Sequence, residues 1–225
     1  MKRSELNAAI DFAIAAMKGQ NITLPSFGYY SPEDWKQKKD SCETIFEVML
    51  GWDVTDFGTN DYNRIGCALF TLRNGSLEGA GVPYAEKYLI FTETQAIPLH
   101  FHYMKQEDII NRAGGTMCVE VYASTEDGEL DRETDVVVYT DGVRNVVPSG
   151  TVIEITTGNS ITLTPGLYHR IYVKEGTGAL IAGEVSSVND DRVDNRFYEP
   201  TARFCGIEED EPARYILSNE YNIIG

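Results

Sequence analysis

Histidine is scarce in this 225-residue chain: there are three, and His100 and His102 are separated by a single residue. Basic charge is also in short supply, with 19 Lys and Arg against 35 Asp and Glu and a net charge of -16. That balance opposes binding to phosphate backbones and anionic lipid, so nucleic acid and membrane surfaces are poor partners. No apolar run approaches the roughly 18 residues that a membrane-spanning helix needs. The opening "MKRSELNAAIDFAIAAMKG" is interrupted by Asp11 and lacks a cleavage pattern, so a soluble cytoplasmic protein is the expectation. Cys42, Cys67, Cys118 and Cys205 lie far apart with no C-x-x-C pair, which argues against a zinc knuckle or redox pair and for reduced, partly buried thiols. Internal repeats, low-complexity tracts and Pro/Ser linkers are missing too. One domain spanning residues 1–225 is expected, with residues 1–50 a mainly helical extension packed on the rest.

What is present reads as helices first and strands afterwards. Leu6, Ala9, Ile10, Ala13, Ile14 and Met17 fall at helical spacing, with Ser4 as the expected N-cap and Gly19 as the stop. In "SPEDWKQKK", Ser31 is placed to cap, Pro32 takes the first helical position and two acids occupy the first turn, predicting a second short helix. From about Trp52 the chain becomes a series of β-branched and aromatic runs: "CALFTL" before Arg73-Asn74-Gly75, "KYLIFTET", "TMCVEVYAS", "DVVVYT", "TVIEIT", "SITLTP", "HRIYV" and "GALIAGEV". Many short strands in succession predict a mainly β sandwich or barrel. Asp141-Gly142 marks a two-residue hairpin, because both central positions of a type I′ turn need positive φ.

The stretch "LHFHYMKQEDIINRAGG" carries the chemistry. Residues two apart on a strand share a face, so His100 and His102 would direct both imidazoles into one cavity. Glu107 lies at an odd offset from His102, so a bulge or turn around Met104 to Gln106 must bring its carboxylate back. The third histidine, His169, follows the Pro165-Gly166 turn and begins another strand.

His100-Phe101-His102, four residues, Glu107, six residues and Gly114 resembles the first motif of the cupin superfamily. Gly158, Pro165, Gly166 and His169 resemble the second. Two departures are visible: Pro165 and Gly166 are adjacent, and Val173 stands where the family often has Asn. The resemblance implies a double-stranded β-helix, or jelly-roll barrel, holding a divalent metal by His100, His102, Glu107 and His169. Three imidazoles and a carboxylate form an N3O set suited to Mn, Fe, Co, Ni or Zn, with positions left for substrate oxygens. The segments "HFHYMKQEDIINRAGG", "GEVSSVNDDRVDNRFYEP" and "MKRSELNAAIDFAI" are similar to bacterial D-lyxose ketol-isomerases over nearly the whole chain. That resemblance implies a cytoplasmic, commonly dimeric, Mn2+-dependent enzyme that interconverts D-lyxose with D-xylulose, with D-mannose and D-fructose as further substrates.

Aldose and ketose exchange by moving a hydrogen between C1 and C2, which calls for a Lewis acid, a base and a group that tends the oxygens. Lys105, inside the ligand motif, is the candidate for charge stabilisation, and Glu184, expected to end a strand inside the cavity, is the candidate base. Asp194 and, more weakly, Arg203 are candidate sugar contacts, and Tyr168, Phe197 and Tyr198 could pack against a sugar face. Asp190, Asp191, Asp194 and Arg196 otherwise read as a solvated charge run. An iron-dependent cupin oxygenase and a non-catalytic sugar-binding cupin are the alternatives. A phosphosugar isomerase would want a basic cluster that this acidic chain does not display.

Overall fold

The computed structural model describes residues 1–188 and 193–224. Three α-helices open the chain: α1 (Arg3–Gly19), α2 (Pro32–Lys38) and α3 (Glu43–Glu47). Strands follow as β1 (Gly51–Thr55), β2 (Cys67–Gly75), β3 (Gly81–Phe91), β4 (His100–His102), β5 (Glu107–Gly114), β6 (Met117–Ser124) and β7 (Leu130–Asp131). The second half holds β8 (Val136–Thr140), β9 (Val143–Val147), β10 (Thr151–Ile155), β11 (Ser160–Leu163), β12 (Tyr168–Val173), β13 (Leu180–Ser187) and β14 (Asn195–Phe197). They form an eight-stranded sheet, β1-β2-β3-β13-β5-β11-β8-β9, and a second sheet, β10-β6-β12-β4-β14, with β7 paired to β6. Every pairing between these strands is antiparallel, and the two sheets enclose one apolar core. This is the mainly β barrel that the motif resemblance implies.

Around β1 and β2 and the adjoining parts of β3 and β13, the larger sheet is covered on both faces. Its inner face contributes Leu69, Leu89, Phe91 and Ile109 to the core shared with Val119, Val121 and Ile171 of the opposite sheet. Its outer face sets Trp52, Val54, Phe70 and Ile181 against Leu6, Ile10, Ala13 and Met17 of α1. Two-sided burial explains why β1 is buried at every position and why "CALFTL" is a continuous apolar run rather than an alternating one. Each large aliphatic side chain that α1 buries contributes about 1.5–3 kcal/mol of transfer free energy. No helix among the described residues is long and apolar enough to cross a membrane.

Several expectations about element ends are corrected. Ser4 lies inside α1 and does not cap it; Lys2 is the N-cap, its N–H donating to Glu5 Oε2 at 2.7 Å, while Ser4 donates to the carboxylate of Asp210. Ser31 does cap α2, accepting from Asp34 N–H at 3.2 Å. Asn74-Gly75 belongs to β2, and the reversal comes just after it, where Ser76 N–H donates to Ala80 O. Asp141 and Gly142 both take positive φ, 51° and 81°, between β8 and β9. The four cysteines are free thiols, three of them buried.

Candidate metal and catalytic centre

The three histidines and Glu107 meet because two sheets face each other. His100 and His102 project from β4, and His169 on β12 is the direct cross-strand partner of His100. The ring centroids are 5.0 Å apart for His100 and His102, and 4.2 Å apart for His100 and His169. Glu107 arrives from the other wall. The chain leaves β4 after His102, turns through Tyr103–Gln106 and enters the eight-stranded sheet at Glu107, the first residue of β5. The odd offset is thus resolved by a corner between sheets. Gly114 ends this strand at φ +87°, and a Cβ there would lie 2.1 Å from the carbonyl oxygen of Ala179, which accounts for the glycine in the motif.

Two of the imidazoles are aimed by their outer nitrogens. His100 Nδ1 donates to Pro98 O at 2.8 Å and His169 Nδ1 to Leu167 O at 3.0 Å, so each ring turns an Nε2 lone pair inward. Glu107 Oε1 stands 3.3 Å from Nε2 of both His102 and His169. His169 Nε2 is buried without a hydrogen-bond partner. An imidazole lone pair facing a carboxylate oxygen is two acceptors in opposition, an arrangement that a cation between them would relieve. The separation also suits neighbouring ligands around one ion with bonds of about 2.1 Å. The three histidines form a buried group whose ligand atoms lie within 4.8 Å of one another, so the donor set fits a divalent metal.

Electrostatics favour the protonation states of His100, His102 and Glu107 that a metal would need. Burial, reinforced by the other two imidazoles, holds His100 well below the usual histidine range. Burial and then Lys105 lower His102. Burial alone would raise Glu107, but the Lys105 ammonium and the imidazoles outweigh it and hold the carboxyl well below its ordinary value.

A buried chain of charges continues from Glu107. Lys105 Nζ is 2.7 Å from Glu107 Oε2 and 3.2 Å from Glu184 Oε1. Lys87 Nζ approaches the same Glu184 oxygen at 3.2 Å, and Ser186 Oγ donates to it at 2.8 Å. Glu184 sits in the middle of β13 rather than at its end, facing inward opposite Lys87 of β3 and Ile109 of β5. Lys87 and Ser186 were missed by the sequence reading, yet a signal was there. Lys87 shares its strand face with Leu89 and Phe91, and Ser186 shares one with Glu184 and Ala182, so strict alternation turns both toward the core.

The remaining candidates divide. Arg203 lines the cavity and pairs with Asp53 Oδ2 at 2.7 Å. Phe197 lines it too, 5.4 Å from the His100 ring. Asp194 is buried behind the site, not in its lining; its carboxylate accepts the N–H groups of Met104 and Lys105 and lies 3.9 Å from His102 Nδ1. Those bonds occupy the oxygens that a sugar contact would have used. Tyr168 packs on Phe101 and donates to Gly128 O, and Tyr198 is on the outside, so neither lines the cavity. Arg196 pairs with Glu129, whereas Asp190 and Asp191 lie outside the described residues.

The sequence matches the D-lyxose isomerase family over residues 1–221. The chain belongs to that family. It is 42% identical to the D-lyxose/D-mannose isomerase of Escherichia coli O157:H7, over 98% of each chain. It is 44% identical to the enzyme of the same name from Serratia proteamaculans, again over 98% of each. Among solved structures, the Acinetobacter sp. DL28 L-ribose isomerase in complex with L-ribose is similar in fold, with a TM-score of 0.60 at 14% identity, covering 92% of this chain and 98% of that one. Membership of the D-lyxose isomerase family makes the chain a sugar isomerase and sets aside the oxygenase and binding-protein alternatives.

Proposed function

We propose that the protein interconverts D-lyxose with D-xylulose and D-mannose with D-fructose, using a divalent metal held by His100, His102, Glu107 and His169. Manganese is the proposed ion, with cobalt, zinc, iron or nickel able to replace it in an N3O set. The observation that carries this reading is that the histidine group shares one buried cavity with Lys105 and Glu184. The substrates are those in the names of the two relatives above.

Bound at that set, a divalent ion supplies Lewis acidity that polarises a carbonyl. The rest of the reaction falls to the side chains. Converting aldose to ketose moves one hydrogen from C2 to C1 and one from O2 to O1. Glu184 takes the C2 proton on its carboxylate and returns it to C1. Ser186 and the two lysines converge on Oε1 and fix the direction in which the carboxylate points. The Lys105 ammonium steadies negative charge on the sugar oxygens as the C2–H bond breaks. Arg203 and Phe197 contact the sugar, and Asp194 acts by holding the turn that carries Lys105.

Two further parts of this reading concern the molecule in the cell. It works in the cytoplasm, in keeping with its free thiols. It forms a homodimer, in keeping with Val143 and Val146, which are exposed on the edge strand β9 and would be covered by a second copy. Sedimentation should give twice the chain mass; a monomer would contradict the dimer.

The test of the activity is to strip metal from the protein, resupply Mn2+, and follow D-xylulose from D-lyxose and D-fructose from D-mannose. Metal-dependent ketose formation, lost in His102→Ala, is the expected result. No ketose from either sugar, with metal bound, would overturn the reading.

A further inference from the structure

D-lyxose and D-mannose share their configuration at C2, C3 and C4 and differ only beyond C4, at the end remote from the reacting carbons. We propose that this remote end is read in a second cavity, where Asp53, Thr71 and Asn74 set the preference between pentose and hexose; the proposal rests on the isomerase reading above. The cavity at the histidines offers about 50 Å³. That is room for roughly four water-sized groups at ~10–15 Å³ each, whereas a pentose carries ten non-hydrogen atoms. The sugar must therefore extend past it.

An adjoining cavity of about 190 Å³ lies where β1, β2 and β3 meet the C-terminal segment, and Leu69, Lys87 and Arg203 line both spaces. Its wall carries buried polar groups suited to hydroxyls. Asp53 and Thr71 are buried, and Asp53 anchors Arg203 at the junction. Asn74 donates through Nδ2 to Val48 O at 3.1 Å, while its buried Oδ1 has no hydrogen-bond partner. A polyhydroxylated tail brings the donors that such acceptors lack. Thr71 also stands directly opposite Lys87, and Lys87 directly opposite Glu184, so two successive cross-strand pairs link the tail compartment to the proposed base.

A third cavity of about 530 Å³ is larger but shares only Phe57 with the histidine site, and none of its polar lining residues is buried. It offers a hydroxylated tail less.

Steady-state kinetics on both sugars with Thr71→Leu, Asp53→Asn and Asn74→Ala test the assignment. Dissociation constants of D-arabinitol and D-mannitol, the matching alditols, give a readout that needs no turnover. Each variant that folds should lose kcat/KM for D-mannose at least tenfold further than for D-lyxose, through KM, and D-mannitol should weaken more than D-arabinitol. Three substitutions at separate positions keep the comparison available if one of them does not fold. Equal losses for both sugars would overturn the tail compartment and leave the isomerase reading standing. Wild-type protein that converts neither sugar would overturn both.

Discussion

Lys105 touches both carboxylates of the site, Glu107 at 2.7 Å and Glu184 at 3.2 Å, so its removal separates charge from packing. Lys105→Met should lower kcat by ~10²–10³, the usual cost of losing one charge-stabilising donor, with D-xylulose formation as the measurement. The protonation of His100 and Glu107 gives a second prediction. In the metal-free protein His100 stays neutral because it is buried, whereas the unfolded chain takes up a proton at the ordinary histidine value of 6.5. The unfolded state therefore binds more protons, and stability falls as pH drops below 6.5. Glu107, held low in the folded state, adds a further loss below its ordinary 4.5. The urea midpoint of metal-free protein should hold near pH 7.5 and decline as pH falls from about 6.5 to 5; a midpoint that stays flat or rises over that range would contradict this. At this scale the clustered histidines were readable because two-residue alternation makes His-x-His a shared face. Lys87 was not read, because a lysine is ordinarily taken as solvated and only its phase with Leu89 and Phe91 says otherwise.

The corner between β4 and β5 is the element on which the site depends. Parity along the chain revealed that Glu107 needed a local irregularity, since an odd offset cannot serve one face of a regular strand. That the irregularity is a passage between two sheets was beyond parity, because sheet membership depends on long-range pairing. So was its support: Asp194, in the segment before β14, accepts from the backbone of Met104 and Lys105 across 90 and 89 positions of chain. Asp194→Ala should cost about 1–3 kcal/mol by leaving those amides unpaired, and should weaken metal binding by ~10–100-fold through His102 and the turn. Thermal unfolding and calorimetric Mn2+ titration measure the two effects. A variant with normal metal affinity and a lower Tm would confine Asp194 to folding.

At the scale of the molecule, helix α1 joins both ends of the chain to the barrel. Arg3 is buried and forms ion pairs with Glu209 and Glu220, and Asn7 donates to Glu211 and to Pro212 O. We infer that the helical segment and the barrel unfold as a single unit. Arg3→Met should lower stability by about 2–3 kcal/mol, below the ~3–5 kcal/mol of a fully buried pair because Glu209 is 60% exposed. One cooperative transition should persist in the variant, and two transitions would contradict the single unit. The β-rich architecture was readable from short strands and turn pairs, whereas the C-terminal strap over α1 was not, because acids in "IEEDEPAR" look solvated until Arg3 is seen beneath them. In the proposed reaction Glu184 moves a proton between C1 and C2 of a sugar beside the histidine group. Its most direct test is conversion of D-lyxose in deuterated water by the Mn2+-loaded enzyme and by Glu184→Gln. Deuterium at C2 of the recovered aldose, absent with the variant, is the expected result; full retention of the original hydrogen during turnover would contradict the claim and indicate a hydride shift.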